Sequence, residues 1–311
     1  MLPLFQRLQN SNRILVAGCG GGFDVFAGVP LAQYAQARGK SVVFANFSFA
    51  NLWLSGAERI SPTMWRVDAA SAEIPYFPEK WLAEWLDARG QPAPIYAFAK
   101  SGVRPLSAAY GWIMDRHQID LVLLVDGGTD SIIFGDEPGV GSAVEDAVSI
   151  LAVDGVAGER AVLAAIGFGI DHYHGVSHHA FLQNVAALTR EGGFLGAFSL
   201  LSGRPEADAF LDLVDYADLR QPLHPSIVCN SIVSALRGEF GDYHATNRTS
   251  GQALFINPLM SQYWTFDVAR VVHHMGYASE LARTDRLEDA RRTIELWRET
   301  VALRPRQSIP L

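Results

Sequence analysis

Asp126 and Asp130 stand at the two ends of Asp126-Gly127-Gly128-Thr129-Asp130, followed by Ser131. Two carboxylates on one short loop can divide labour, one holding a proton while the other stays ionised. That is the arrangement general acid/base chemistry needs. Asp24 closes a second loop, Gly18-Cys19-Gly20-Gly21-Gly22-Phe23-Asp24, whose glycines let backbone amides approach a ligand. Gly135-Asp136-Glu137-Pro138-Gly139 adds two acids, and Glu145-Asp146 adds two more before a helical stretch. Asp171-His172-Tyr173-His174 and Ser177-His178-His179 bring four of the nine histidines into one short segment.

Each cluster has more than one reading. In the dinucleotide fingerprint a third glycine follows Gly20 by three residues, and an acid ends the next strand to hold a ribose. Phe23 stands at the first place, and the next strand runs into Ala45-Asn46-Phe47. A carboxylate at Asp24 would also repel a pyrophosphate. The loop therefore reads as a ligand-binding turn of another type, or as a tight turn with Asp24 capping its helix, and tight NAD or NADP binding is not expected. Asp126 leaves a very apolar strand, where an unpaired carboxylate is expensive and must find a cation, a metal or several hydrogen bonds. Glu145 and Asp146 read first as charge in a helix's opening turn. His172 and His174, spaced H-x-H, suit a divalent metal shared with Asp171, acid/base work, or a polar loop without chemistry. Lys100 and Arg104, in Lys100-Ser101-Gly102-Val103-Arg104, suit an anionic part of a ligand or serve as ordinary loop cations. The polar turns Asn247–Gly251 and Asn257–Ser261 are candidates to close over the crevice.

These residues need a scaffold that brings strand ends together. Ile14–Ala17 leads into the glycine loop, a helix spans about 25–37, and Ser41–Phe44 reads as the next parallel strand, which completes a βαβ unit. A polar and aromatic insertion from Ala50 to Phe77 follows. Helix is expected over Glu79–Ala88 and Pro105–His117, strand over Ile95–Ala99, Leu121–Val125 and Ala161–Ile166, and helix over Ser177–Arg190. Continuous apolar runs of this kind fit parallel strands covered on both faces. After Gly193 the pattern turns mainly helical, with Glu206–Ala217, Pro225–Arg237, Phe266–His274 and Arg286–Leu303, and one strand candidate at Ala253–Ile256. The expected fold is α/β and Rossmann-like, a mostly parallel sheet with helices on both faces. Residues 1–200 form its core, and a mainly helical part, 201–311, packs on it.

Composition sets the outer limits. Of 311 residues 49% are hydrophobic and 19% are charged, against roughly 25% charged in an average soluble domain. With 25 Lys+Arg against 33 Asp+Glu the net charge is −8, which argues against nucleic acid and anionic membranes as partners. Cys19 and Cys229 have neither disulfide-framework nor zinc-ribbon spacing. The opening residues, MLPLFQRLQNSNR, lack a signal pattern, and no apolar run reaches the roughly 18 residues of a membrane helix. A cytoplasmic protein is expected, with a small-molecule ligand and with homo-oligomerisation left open.

GCGGGFD near the start, VDGGTDSIIFGDEPGVG in the middle and INPLMSQYWTFDVARVV near the end resemble the family called domain of unknown function 1152. The resemblance spans most of the chain and implies a Rossmann-like unit without implying a reaction. It raises Gly20, Gly21, Gly22, Asp24, Asp126, Gly128, Thr129, Asp130, Asp136 and Glu137 as site candidates. The leading expectation is an enzyme of non-redox chemistry (lyase, hydrolase or group transfer) on a small polar metabolite. Catalytic candidates are Asp126, Asp130, Asp24, Glu137 and His172. Binding candidates are Gly20, Gly21, Gly22, Phe23, Gly128, Thr129, Ser131, Asp136, Lys100, Arg104, Asp171 and His174. The alternatives are a ligand-binding or regulatory protein without turnover and an NAD(P)-dependent oxidoreductase. No G-x-S-x-G elbow, P-loop or H-E-x-x-H motif occurs.

Overall fold

A strand that is apolar along its whole length is stable only with both faces covered. In the computed structural model, which describes residues 2–251 and 254–309, such strands form the centre of a nine-stranded sheet. In chain order the strands are β1 (Arg13–Gly18), β2 (Ser41–Phe47), β3 (Glu58–Ser61), β4 (Met64–Val67), β5 (Ile95–Phe98), β6 (Leu121–Asp126), β7 (Ala161–Ala165), β8 (Phe194–Ser199), β9 (Gly241–Asp242), β10 (Phe255–Ile256) and β11 (Gln262–Asp267). The sheet order is β3-β4-β5-β2-β1-β6-β7-β11-β8, and β9 with β10 forms a separate ribbon. Strands β5, β2, β1, β6 and β7 are parallel, and antiparallel strands complete both edges. The α/β, mostly parallel architecture expected from the sequence is the one that forms.

Side-chain alternation sends each central strand into two cores. Leu15, Ala17, Val122 and Leu124 join one, which holds the helices Val103–His117, Ala143–Ala157 and His178–Arg190. Ile14, Val16, Leu121, Leu123 and Val125 join the other, with the helices Val29–Gln36, Pro78–Ala88 and Pro205–Arg220. Burying each such aliphatic side chain is worth roughly 1.5–3 kcal/mol, so the doubly covered strands hold the scaffold rigid.

Several local expectations need correction. The helix expected over 25–37 is broken into Asp24–Ala27 and Val29–Gln36. Asp24 is the first helical residue and does not cap, since Phe23 holds the cap position without a side-chain bond. The segment after Gly193 is less helical than its pattern suggests, because β8 and β11 lie within it and β11 runs between β7 and β8. The helix expected from Phe266 starts at Val268, and Phe266 belongs to β11. Of the strand candidate Ala253–Ile256, Phe255–Ile256 forms β10, whereas Ala253 lies outside the described residues. The aromatic insertion supplies the β3–β4 hairpin on one edge of the sheet.

From β1 the chain moves outward through β2 to β5, then returns to β6 on the other side of β1. The crevice beyond the carboxyl ends of β1 and β6 is thus a topological switch point, where open α/β sheets bind ligands. Cys19 N donates to Val125 O at 2.8 Å, tying the two strand ends together. Among the described residues, no helix is long and apolar enough to cross a membrane.

Candidate functional site

Five carboxylates gather at this switch point, from four segments of chain. Asp24 follows the glycine loop after β1, Asp126 ends β6, and Asp130 lies on the turn that follows. Asp171 comes from the loop after β7, and Asp146 from the first turns of the helix Ala143–Ala157. Asp126, Asp130, Asp146 and Asp171 are each no more than 5% exposed, and Asp24 is partly exposed. One oxygen from each of Asp24, Asp126 and Asp146 lies within 4.8 Å of the other two. Among the described residues, none of the five acids pairs with a Lys or Arg, and His174 exerts an attractive pull on Asp130.

Glycines permit this crowding. A Cβ on Gly20 would stand 2.8 Å from both Asp146 carboxylate oxygens, one on Gly127 2.9 Å from Asp24 Oδ1, and one on Gly128 2.8 Å from Asp171 Oδ2. Gly21 and Gly22 take positive φ values of 102° and 62°, which L side chains rarely adopt. Some of the charge is held by donors. Asp171 Oδ2 accepts from Thr129 N (2.5 Å) and Thr129 Oγ1 (3.2 Å), Asp126 Oδ2 from Ser131 N (3.2 Å), and Asp130 Oδ2 from Ser142 N (2.9 Å) and Oγ (3.0 Å). Asp146 Oδ1 is buried without a hydrogen-bond partner.

Electrostatics follow from that geometry. Burial, then repulsion from Asp130, pushes Asp126, Asp146 and Asp171 well above the usual carboxylate range. Asp130 is raised by burial and pulled back by Ser142. Asp24 is raised to about 7 by burial and by Asp130, against the opposing pull of the Gly20, Gly127 and Gly21 amides. Cys19, buried beneath the cluster, is pushed up by burial and then by Asp146 and Asp126. It stays a thiol and is no nucleophile.

The other sequence candidates go to different places. Glu137 is buried in a bonded clasp: Oε1 accepts from Phe134 N (2.8 Å), Asn184 Nδ2 (2.6 Å) and an Arg304 guanidinium nitrogen (2.7 Å), and Oε2 from Gly135 N (2.8 Å). Asp136 pairs with the same arginine at 2.7 Å. These two acids hold the C-terminal tail and share the charge of that one arginine. Arg104 is exposed and pairs with Asp285, and Lys100 is exposed with its Nζ 4.8 Å from the Phe49 ring centre. Phe23 is buried edge-on against Phe26 and Tyr76.

His172 and His174 lie in a 3₁₀ turn, Ile170–His174, and both are exposed. The extended backbone that would align an H-x-H pair is therefore absent there. His172 stacks on His178 at 5.0 Å and, with Phe168, Asn257, Leu259 and Arg306, lines a groove of about 690 Å³ beside the cluster. Asn257, from one of the two polar turns, is buried there and caps its turn through Leu259 N at 3.0 Å.

Asp146 is the acid that sequence reasoning set aside. The signal was in the helix itself: Ala147–Val153 (AVSILAV) is apolar nearly all round and buried at every position from Asp146 to Val153, so Asp146 opens a helical stretch enclosed on all sides instead of a solvated face. A charge there needs a reason that a solvated first-turn acid does not.

The family model described as "Protein of unknown function (DUF1152)" matches residues 15–300. No curated protein and no solved structure matches the chain. The chain belongs to the DUF1152 family.

Proposed function

We propose that this member of the DUF1152 family is an enzyme of non-redox chemistry that acts on a small polar metabolite at the carboxyl edge of its parallel sheet. The observation that carries the reading is the convergence of five carboxylates, four of them buried and none paired with Lys or Arg among the described residues, from the loops after β1, β6 and β7 and from the helix Ala143–Ala157. Uncompensated buried charge costs several kcal/mol per group, and sites that bear such a cost are commonly functional. Lyase, hydrolase or group-transfer chemistry all need a proton donor and an ionised partner. Asp126 and Asp130, whose environments differ in the number of donors, supply that pair. The glycine-rich loop at Gly20–Gly22 offers backbone amides to the substrate's polar end. The reading places the protein in the cytoplasm, with no nucleic-acid partner, and leaves self-association open.

A ligand sensor with the same crevice is the alternative. Nicotinamide chemistry fits less well: Asn46, in the acid's place on β2, has its amide nitrogen bound to Gly22 O (2.7 Å) and Glu79 Oε1 (2.8 Å). The test is to incubate the protein with a polar-metabolite extract and follow consumption by mass spectrometry. Asp126→Asn and Asp130→Asn should each still bind the consumed compound, with an altered affinity, and lose turnover by roughly 100-fold or more. Binding without any consumption supports the sensor, and full activity in both variants removes these acids from the chemistry.

A further inference from the structure

We propose that Asp24, Asp126 and Asp146 bind a divalent, oxygen-seeking cation of the magnesium or manganese class. The inference deepens the function proposed above and depends on it only for what the ion would do, not for its being bound. Three carboxylate oxygens from three elements lie within 4.8 Å of one another, a spacing that one ion can bridge at ~2.0–2.6 Å per bond with modest contraction. The donor set is all oxygen, which favours hard cations over zinc or copper.

Geometry alone would leave an acidic cluster, and the second observation is Asp146. Its side chain is 2% exposed, its Oδ1 has no hydrogen-bond partner, and its carboxylate stands against Gly20, where a Cβ would meet both oxygens at 2.8 Å. The loop backbone is thus brought close to a carboxylate whose Oδ1 has no partner among the described residues. Asp130 and Asp171 differ, because each is held by two donors from Ser142 or Thr129. They flank the three without competing for the same role, and they deepen the negative potential. A single ammonium group would fit between three oxygens but leave most of that charge unbalanced, so a double charge is favoured. Asp24, the partly exposed member, gives the ion its way in. Once bound, such an ion supplies Lewis-acid polarisation of a substrate oxygen or a more acidic bound water.

The test uses the full chain, stripped with a chelator and dialysed, then titrated with MgCl₂ and MnCl₂ by calorimetry and thermal unfolding at fixed ionic strength. One ion per chain is expected, with a Tm rise of roughly 5 °C at saturation. Asp146→Asn removes an unbonded carboxylate, so it should fold at least as well as the parent without metal. Its affinity should drop roughly 10-fold or more, and Asp24→Asn, at a more open position, should weaken binding likewise. Asp115→Asn, exposed near the C-terminal end of the helix Val103–His117, should bind as the parent does. Absence of binding at millimolar metal, undiminished binding by both Asp146→Asn and Asp24→Asn, or an equal Tm rise with ammonium chloride overturns the site. The two proposals fail separately: metal binding without metabolite consumption removes the enzyme and keeps the ion, whereas consumption by a chain that binds no metal in the titration does the reverse.

Discussion

Glu79 has no exposed surface, and burial raises its carboxyl to about 7 even though the Asn46 amide and Ser48 pull it down. The unfolded chain gives up this proton near pH 4.5, so between about 4.5 and 7 the folded state holds more protons. Stability therefore falls as pH rises through that window and levels off above it. Glu79→Gln should match the parent near pH 4.5 and exceed it at pH 8 by roughly 3 kcal/mol, as urea unfolding at the two pH values will show. Equal stability at pH 8 would mean that the fold does not raise the Glu79 carboxyl. At this scale the sequence was informative where a residue's neighbours in the chain decide its fate. Asp126 leaves a fully apolar strand, and Asp24 follows a glycine loop, so both could be placed at strand ends. Asp136 and Glu137 could not, because the arginine that claims them is more than 160 residues away.

That arginine belongs to an element with no regular structure. The tail after Thr300 lies on the protein through Arg304, which bonds Asp136, Glu137, Gln183 and Asn184 at 2.7–3.0 Å. Arg304→Ala would leave the Glu137 charge buried with neutral donors only. It should cost about 3 kcal/mol in chemical denaturation, and Glu137→Gln in the same chain should restore part of the loss. A single variant within about 0.5 kcal/mol of the parent would show the tail to be loosely held. Strands divide by the same logic. The parallel core was legible because LVLLV and SVVF are apolar without interruption. β8 (FLGAFS) was not, since Gly196 interrupts it at φ 104° and its sheet neighbour among the described residues is β11, some sixty residues on. β11 in turn ends in Phe266 and Asp267, which lead directly into a helix and blur the boundary.

On the scale of the whole molecule, the sheet explains why acids from distant segments meet. Strands β1, β6 and β7 are parallel neighbours, so the loops after them share one edge, and the strand order reverses between β1 and β6, the kind of place where open α/β sheets take ligands. The helix Ala143–Ala157 covers the face of β6 on which Val122 and Leu124 lie, the face that Asp126 shares by alternation. It brings Asp146 to the same place. The central claim is that this edge is where the protein takes its ligand. The most direct measurement is a thermal-shift screen of nucleotides, sugar phosphates, amino acids and dinucleotides against the parent chain and Asp126→Asn. A small polar metabolite should raise the Tm of the parent, NAD and NADP should not, and the shift should be altered by the substitution at Asp126. A ligand whose shift is the same in the parent and in the Asp126→Asn and Asp130→Asn variants would place binding elsewhere and contradict the account.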